Sequence, residues 1–164
     1  MTRSRYTCIW TMIGLGTLLL AGCGTDPVQP DQDVSLQPGY GIAAVVFDNL
    51  DTLTAITIKS PDPKGGEVDI SYADKGVHMF VYALPAGSYC LTHFNTSFYR
   101  FTQDDLTHGI CFDVVAGKVA YSGNLAPRAV GHATRTYQNY YWSVFEKSFK
   151  DQYPKLTNYP IVTP

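Results

Sequence analysis

The 164-residue chain is poor in charge, with 16% of its residues Asp, Glu, Lys or Arg and a formal net charge of −2. It has no Lys/Arg cluster and no basic stripe. Nucleic-acid binding depends on neutralising phosphates with such clusters, so that partner class is argued against. It also lacks an apolar run long enough to cross a bilayer. The uncharged stretch from Cys8 to Ala21 holds about 14 residues, whereas a spanning helix needs roughly 20. His-Glu-x-x-His, a phosphate-binding glycine loop, a dinucleotide fingerprint and a Gly-x-Ser-x-Gly elbow are all missing. The familiar scaffolds for zinc, nucleotide and serine-hydrolase chemistry are therefore not written in it, and no cofactor is implied. Cysteine is scarce, at four residues.

What is present begins at the N-terminus. Arg3 and Arg5 precede the short apolar run, which ends in small residues. A basic start, a short apolar centre and a small-residue end make an export signal, residues 1–22, rather than a stable span. The run closes Leu20-Ala21-Gly22-Cys23, which resembles the lipobox of bacterial lipoproteins at all four positions. The resemblance covers the first 23 residues. It implies cleavage before Cys23, diacylation of the Cys23 sulfur and acylation of the freed amine. Two or three buried acyl chains hold a protein stably where one does not, so the expected state is membrane-anchored. Gly24-Thr25 follow, with no Asp, which by the family's sorting habit in enteric bacteria implies the outer membrane, on the periplasmic side. Removal of residues 1–22 takes Arg3 and Arg5 from 12 basic side chains, leaving 10 against 14 acidic ones and a formal charge of −4.

Residues 24–39, GTDPVQPDQDVSLQPG, are rich in proline and aspartate. That composition reads as a flexible tether, residues 23–39 with the lipidated Cys23. Residues 40–132 then read as one domain of short strands: 41–47, 53–58, 67–72, 77–84, 88–94, 98–101, 110–115 and 118–121. The first is an almost continuous apolar run, as expected of a strand covered on both faces. The fourth sets Val77, Met79 and Val81 against Phe80, Tyr82 and Leu84. The pattern predicts a mainly β fold, an antiparallel β-sandwich. Leu84-Pro85-Ala86-Gly87 and Val114-Val115-Ala116-Gly117 read as hairpin turns with glycine at the fourth position. The stretches LPAGSYCL and CFDVVAGKVAYSGNL around them resemble turns of prealbumin-like (transthyretin-like) sandwich domains found in bacterial lipoproteins. That resemblance covers roughly residues 77–125 and concerns fold more than function.

Residues 133–164 read as a C-terminal helix and tail. Tyr137, Tyr141, Phe145, Phe149 and Tyr153 recur every four residues, opposite Glu146, Lys147, Lys150 and Asp151. That period predicts an amphipathic helix from Tyr137 to Tyr153, stopped by Pro154. Its aromatic stripe packs on the sandwich or covers an open edge; a second reading makes Trp142 and Phe145 a contact for a partner. With two lysines it lacks the basic face of a membrane-lying helix.

Cys90-Leu91-Thr92-His93 is mirrored by His108-Gly109-Ile110-Cys111. The quartet has the ligand types of a zinc site, but an exported domain tends to pair its two remaining cysteines. In a regular strand Cys90 and His93 face opposite sides, which also argues against chelation. A Cys90–Cys111 disulfide is therefore expected ahead of a metal site or two buried thiols. Closing that loop of about 22 residues stabilises by about 3 kcal/mol. The excursion between the cysteines would then present Phe98, Tyr99, Arg100 and Phe101 to a partner.

The expected role is a non-catalytic, lipid-anchored binding module that meets another envelope protein, a glycan or a secreted effector. An inhibitor or immunity factor against a secreted toxin is a specific version. An envelope hydrolase using loop Asp and His residues, and a metal-handling protein, are the competing classes; each needs converging titratable groups.

Overall fold

The computed structural model describes residues 26–96, 100–102, 110–130, 133–139 and 141–162. Cys23 and its lipobox, Phe98, Tyr99 and His108 lie outside the described residues. In chain order come β1 (Tyr40–Asn49), β2 (Leu53–Lys59), β3 (Glu67–Ala73), β4 (Gly76–Pro85), β5 (Gly87–Asn95), β6 (Arg100–Thr102), β7 (Cys111–Val114), β8 (Val119–Val130) and β9 (Ala133–Asn139). The helix α1 (Trp142–Gln152), a 3-10 turn at Pro154–Leu156 and β10 (Ile161–Val162) follow. One sheet runs β10–β8–β1–β4, with β9 also on β8; the other runs β3–β2–β5, with β6 and β7 both on β5. The fold is a mainly β, sandwich-like pair of sheets with one helix near the C-terminus.

Strand β1 shows why the layers form. Its alternate residues Ala43, Val45 and Phe47 join the core between the sheets with Ile56, Ile58, Leu84, Tyr89 and Leu91. Ile42, Ala44 and Val46 face the other way, into a second core under α1 with Val81, Val119, Tyr121, Phe145 and Phe149. A continuous apolar run is what a strand buried on both faces requires. Helix α1 therefore lies over the outer face of the first sheet. Its rings form a file: Tyr121 stacks on Phe145 with centroids 3.9 Å apart, Phe145 meets Phe149 at 5.7 Å, and Phe149 meets Tyr153 at 5.6 Å.

The structure corrects four expectations. Strand β1 pairs with β8 in parallel, as β10 does, so the first sheet is mixed rather than wholly antiparallel. The cause is that the two turn motifs are crossovers, not hairpins: Pro85–Gly87 carries the chain from the first sheet to the second, and Val115–Lys118 carries it back. The second crossover delivers β8 beside the start of β1, where Gly117 N–H donates to Tyr40 O at 2.8 Å and Ile42 N–H to Lys118 O at 2.8 Å. Gly117 sits at φ +71°, in the left-handed region that glycine occupies without strain. Glycine at 41 is required by contact instead, because a Cβ there would stand 2.2 Å from Val115 O.

The expected tether is also corrected over its described part. Val28 is buried and its N–H donates to Val81 O on the edge of β4 at 2.7 Å. Val34 and Leu36 pack against the second core, Tyr159 donates its hydroxyl to Val34 O at 2.8 Å, and Lys155 pairs with Asp33 at 2.9 Å. Three apolar side chains suffice to seat the segment, because the uncovered edge and outer face of the first sheet need cover. Finally, the predicted helix start and domain boundary move. Tyr137 belongs to β9, which pairs antiparallel with β8 from Asn124↔Asn139 to Val130↔Ala133, and α1 begins at Trp142. Residues beyond 132 are thus part of the sandwich. Among the described residues no helix is long and apolar enough to cross a membrane.

Candidate functional site

Cys90 and Cys111 form a disulfide. They stand directly opposite each other on antiparallel β5 and β7, with Cα atoms 4.1 Å apart, the close spacing of a non-hydrogen-bonded pair. Tyr89 and Leu91 point into the core, so Cys90 points to the outer face of the second sheet, where Cys111 is exposed. The expectation that His93 faces away from Cys90 is overturned. Leu91 and Phe94 both join the core, and the β2–β5 register shifts between them, so a bulge turns Thr92 and His93 outward together. The bonded sulfurs nevertheless leave no thiolate there. Among the described residues no group of three or more His, Cys, Asp or Glu is placed to hold a metal.

The candidate partner-binding residues separate. Arg100 is exposed on β6, opposite Asn95. Phe101 is instead buried against Phe94, with centroids 4.6 Å apart, so its ring is core. Phe145 is buried under α1, and Trp142 is half-buried beside Tyr121 at 6.2 Å. Two of the rings expected at a surface are thus withdrawn from it: Phe101 faces the core on β6 opposite Phe94, and Phe145 lies on the helix face whose period marks the side it buries. Arg100 lies on the second sheet and Trp142 on the helix that covers the first, and the structure does not bring them together.

What it does bring together was missed in the sequence. One end of the sandwich is made by the end of β1, the start of β2, the start of β4 and the end of β5, since Asn49 pairs with Gly76 and Thr54 with Asn95. There, among the described residues, Asn49 Oδ1, His78 Nε2 and Asn95 Oδ1 are buried without a hydrogen-bond partner. Asn49 is 3% exposed, and its amide nitrogen is fixed by donating to Asp74 O at 3.2 Å. It lies on the same face of β1 as Phe47, hence between the sheets. His78 lies on the inward face of β4 and stacks on Phe80 at 6.4 Å. Its Nε2 is 3.8 Å from where a Gly76 side chain would begin, so the imidazole tip fills the slot opposite Asn49. Asn95 stands on the outer face of the second sheet, between Thr54 and Arg100.

Around this corner Tyr72 donates its hydroxyl to Asp74 Oδ1 at 2.6 Å, and this hydrogen bond holds the phenol above its usual range. Tyr72 and Leu50 are each 54% exposed. The arrangement offers two amide oxygens that can only accept, and an imidazole whose role is set by its tautomer. His78 between the sheets and His93 outside them do not converge on one point. No sequence period marks the corner, because whether an Asn or His is satisfied depends on strands far away in the chain. The opposite end is closed by the crossovers: Ala86 N–H donates to Gly39 O at 2.8 Å. There Tyr89 accepts from Gly66 N–H at 3.1 Å and donates to Pro85 O at 3.0 Å.

Comparison of the chain with protein-family models, curated proteins and solved structures finds no match.

Proposed function

We propose that the protein is a non-catalytic, lipid-anchored binding module of the bacterial cell envelope, facing the periplasm from the outer membrane. It engages its partner through the sandwich end that carries Asn49, His78 and Asn95. The observation behind this reading is the gathering of three unpartnered buried polar atoms at that end. Each such atom costs roughly 1–3 kcal/mol when left unpaired. Buried polar groups of a native fold are otherwise almost always paired, and departures from that rule gather at functional sites. Asn95 Oδ1, on the outer face of the second sheet beside Thr54 and Arg100, calls for a donor-bearing partner, such as exposed backbone amides, Lys or Arg side chains of an envelope protein or secreted effector. Leu20-Ala21-Gly22-Cys23 supports the anchor, and the LPAG and VVAG turns support kinship with prealbumin-like sandwiches, both as resemblances.

The test is photo-crosslinking in cells from Thr54 and Arg100, with Lys147 on the exposed side of α1 as the control position. The same partner is expected from Thr54 and Arg100, absent from Lys147, and weakened at least tenfold by Asn95→Ala. Indistinguishable scatter from all three positions overturns the reading.

A further inference from the structure

We infer that the domain is held close against a lipid surface with a fixed side toward it: the face around Val28 and the edge of β4. The inference rests on the reading of Cys23 as the acylated residue and adds to it a distance and an orientation. Val28 is the first described residue that the fold holds firmly, by burial and by its hydrogen bond to Val81 O. The hold continues through Asp33, Val34 and Leu36, which are secured from the C-terminal side by Lys155 and Tyr159. Cys23 and Val28 are five residue steps apart, which span about 17 Å at full extension. A free chain as far as Tyr40 would instead reach about 60 Å over its 17 steps.

Size makes that difference decisive. A domain of about 125 residues has a radius of gyration near 14 Å and is roughly 35 Å across. A leash of about 17 Å is shorter than the domain is wide, so the domain cannot roll over. Asp113 on β7 belongs to the far edge of the other sheet and is exposed, so it is kept away from the lipid. The near face carries exposed Asp26, Asp31 and Asp33. Acidic side chains give no attraction to anionic headgroups, so apposition comes from the short leash alone and the unacylated domain should not bind vesicles.

The test uses the acylated chain in phosphatidylcholine vesicles containing nitroxide-headgroup lipid, with a dye attached through a clickable side chain at Asp31 or at Asp113. Quenching is expected to be several-fold stronger at Asp31. A Gly/Ser insert of about twenty residues between Thr25 and Asp26 is expected to make the two positions alike. Equal quenching without the insert, or a difference that survives it, overturns the fixed apposition. Acylation is read separately by metabolic labelling with an alkyne fatty acid, with Cys23→Ser as the control. Absence of label overturns the anchored reading and the apposition with it, whereas label with equal quenching overturns the apposition alone.

Discussion

Single residues in this molecule carry tasks that their type does not announce. Ala55 adopts φ +48° within β2, a left-handed conformation that costs an L-residue about 1–2 kcal/mol. The turn lets Leu53 and Ile56, three apart, both face the core, matched on β3 by Ile70 and Ala73. Ala55→Gly should therefore stabilise by about 0.5–1 kcal/mol, read as a raised denaturant midpoint with unchanged slope. A midpoint that does not rise would show the strain to be absent. Tyr89 acts through its hydroxyl, which ties Gly66 to Pro85. Tyr89→Phe leaves a donor and an acceptor unpaired and should cost about 1–3 kcal/mol in the same measurement. His78→Phe is expected to do the opposite. It removes a buried unpartnered nitrogen beside Phe80, so stability should hold or rise by up to about 1 kcal/mol while partner capture is lost. Loss of both together would make His78 a structural residue.

At the scale of elements, legibility divides by the range of the interactions concerned. The run through β1 and the four-residue period of Phe145, Phe149 and Tyr153 were readable, because burial on a face leaves a local period. Strand β9, ATRTYQN, has no apolar alternation and is placed by its backbone ladder with β8 and by Gln138, which donates to Ser122 O at 2.6 Å, so nothing in its letters separates it from a helix start. The turn motifs were readable as turns but not as crossovers, since the same residues reverse a chain within a sheet or between two. Residues 26–39 hide three packed side chains among prolines and aspartates, too sparsely to show a period. The corner of Asn49, His78 and Asn95 was illegible for the same reason, as its members lie on three strands. The disulfide, by contrast, followed from cysteine count and the expected compartment. Replacing both Cys90 and Cys111 by Ser should cost about 3 kcal/mol, and the denatured, unreduced domain should titrate no thiol from this pair. Phe149→Ala should cost about 3–5 kcal/mol by opening the core under α1. A loss below 1 kcal/mol would mean that the helix is only loosely docked.

For the whole molecule, alkaline pH is the sharpest probe of the packing. Burial raises the phenols of Tyr82, Tyr89 and Tyr153 above the ordinary value of 10.0. A phenol raised in the folded state stays neutral there while its unfolded counterpart ionises. Its contribution to stability is whole below about pH 10 and is lost as pH climbs through the higher folded values. The melting temperature should therefore fall steeply above pH 10, and phenolate absorbance should rise in two stages, the second coinciding with unfolding. A single smooth titration of all tyrosines in the folded state would contradict the burial.

The parallel pairing of β1 with β8 has a consequence in time. The chain is made from its N-terminus, so β1 emerges early, yet Ile42 waits for Val119 and Phe47 for Leu125. Strand β4 can pair along one edge of β1 once Pro85 is made, but the other edge stays open until some seventy residues beyond β1 have followed. Pairings so distant in sequence place folding in the slow range of milliseconds to seconds, and the waiting strand is the segment most prone to aggregate. A holding chaperone should therefore bind Gly41–Phe47 in a chain truncated before Val119 and release it once β8 is present.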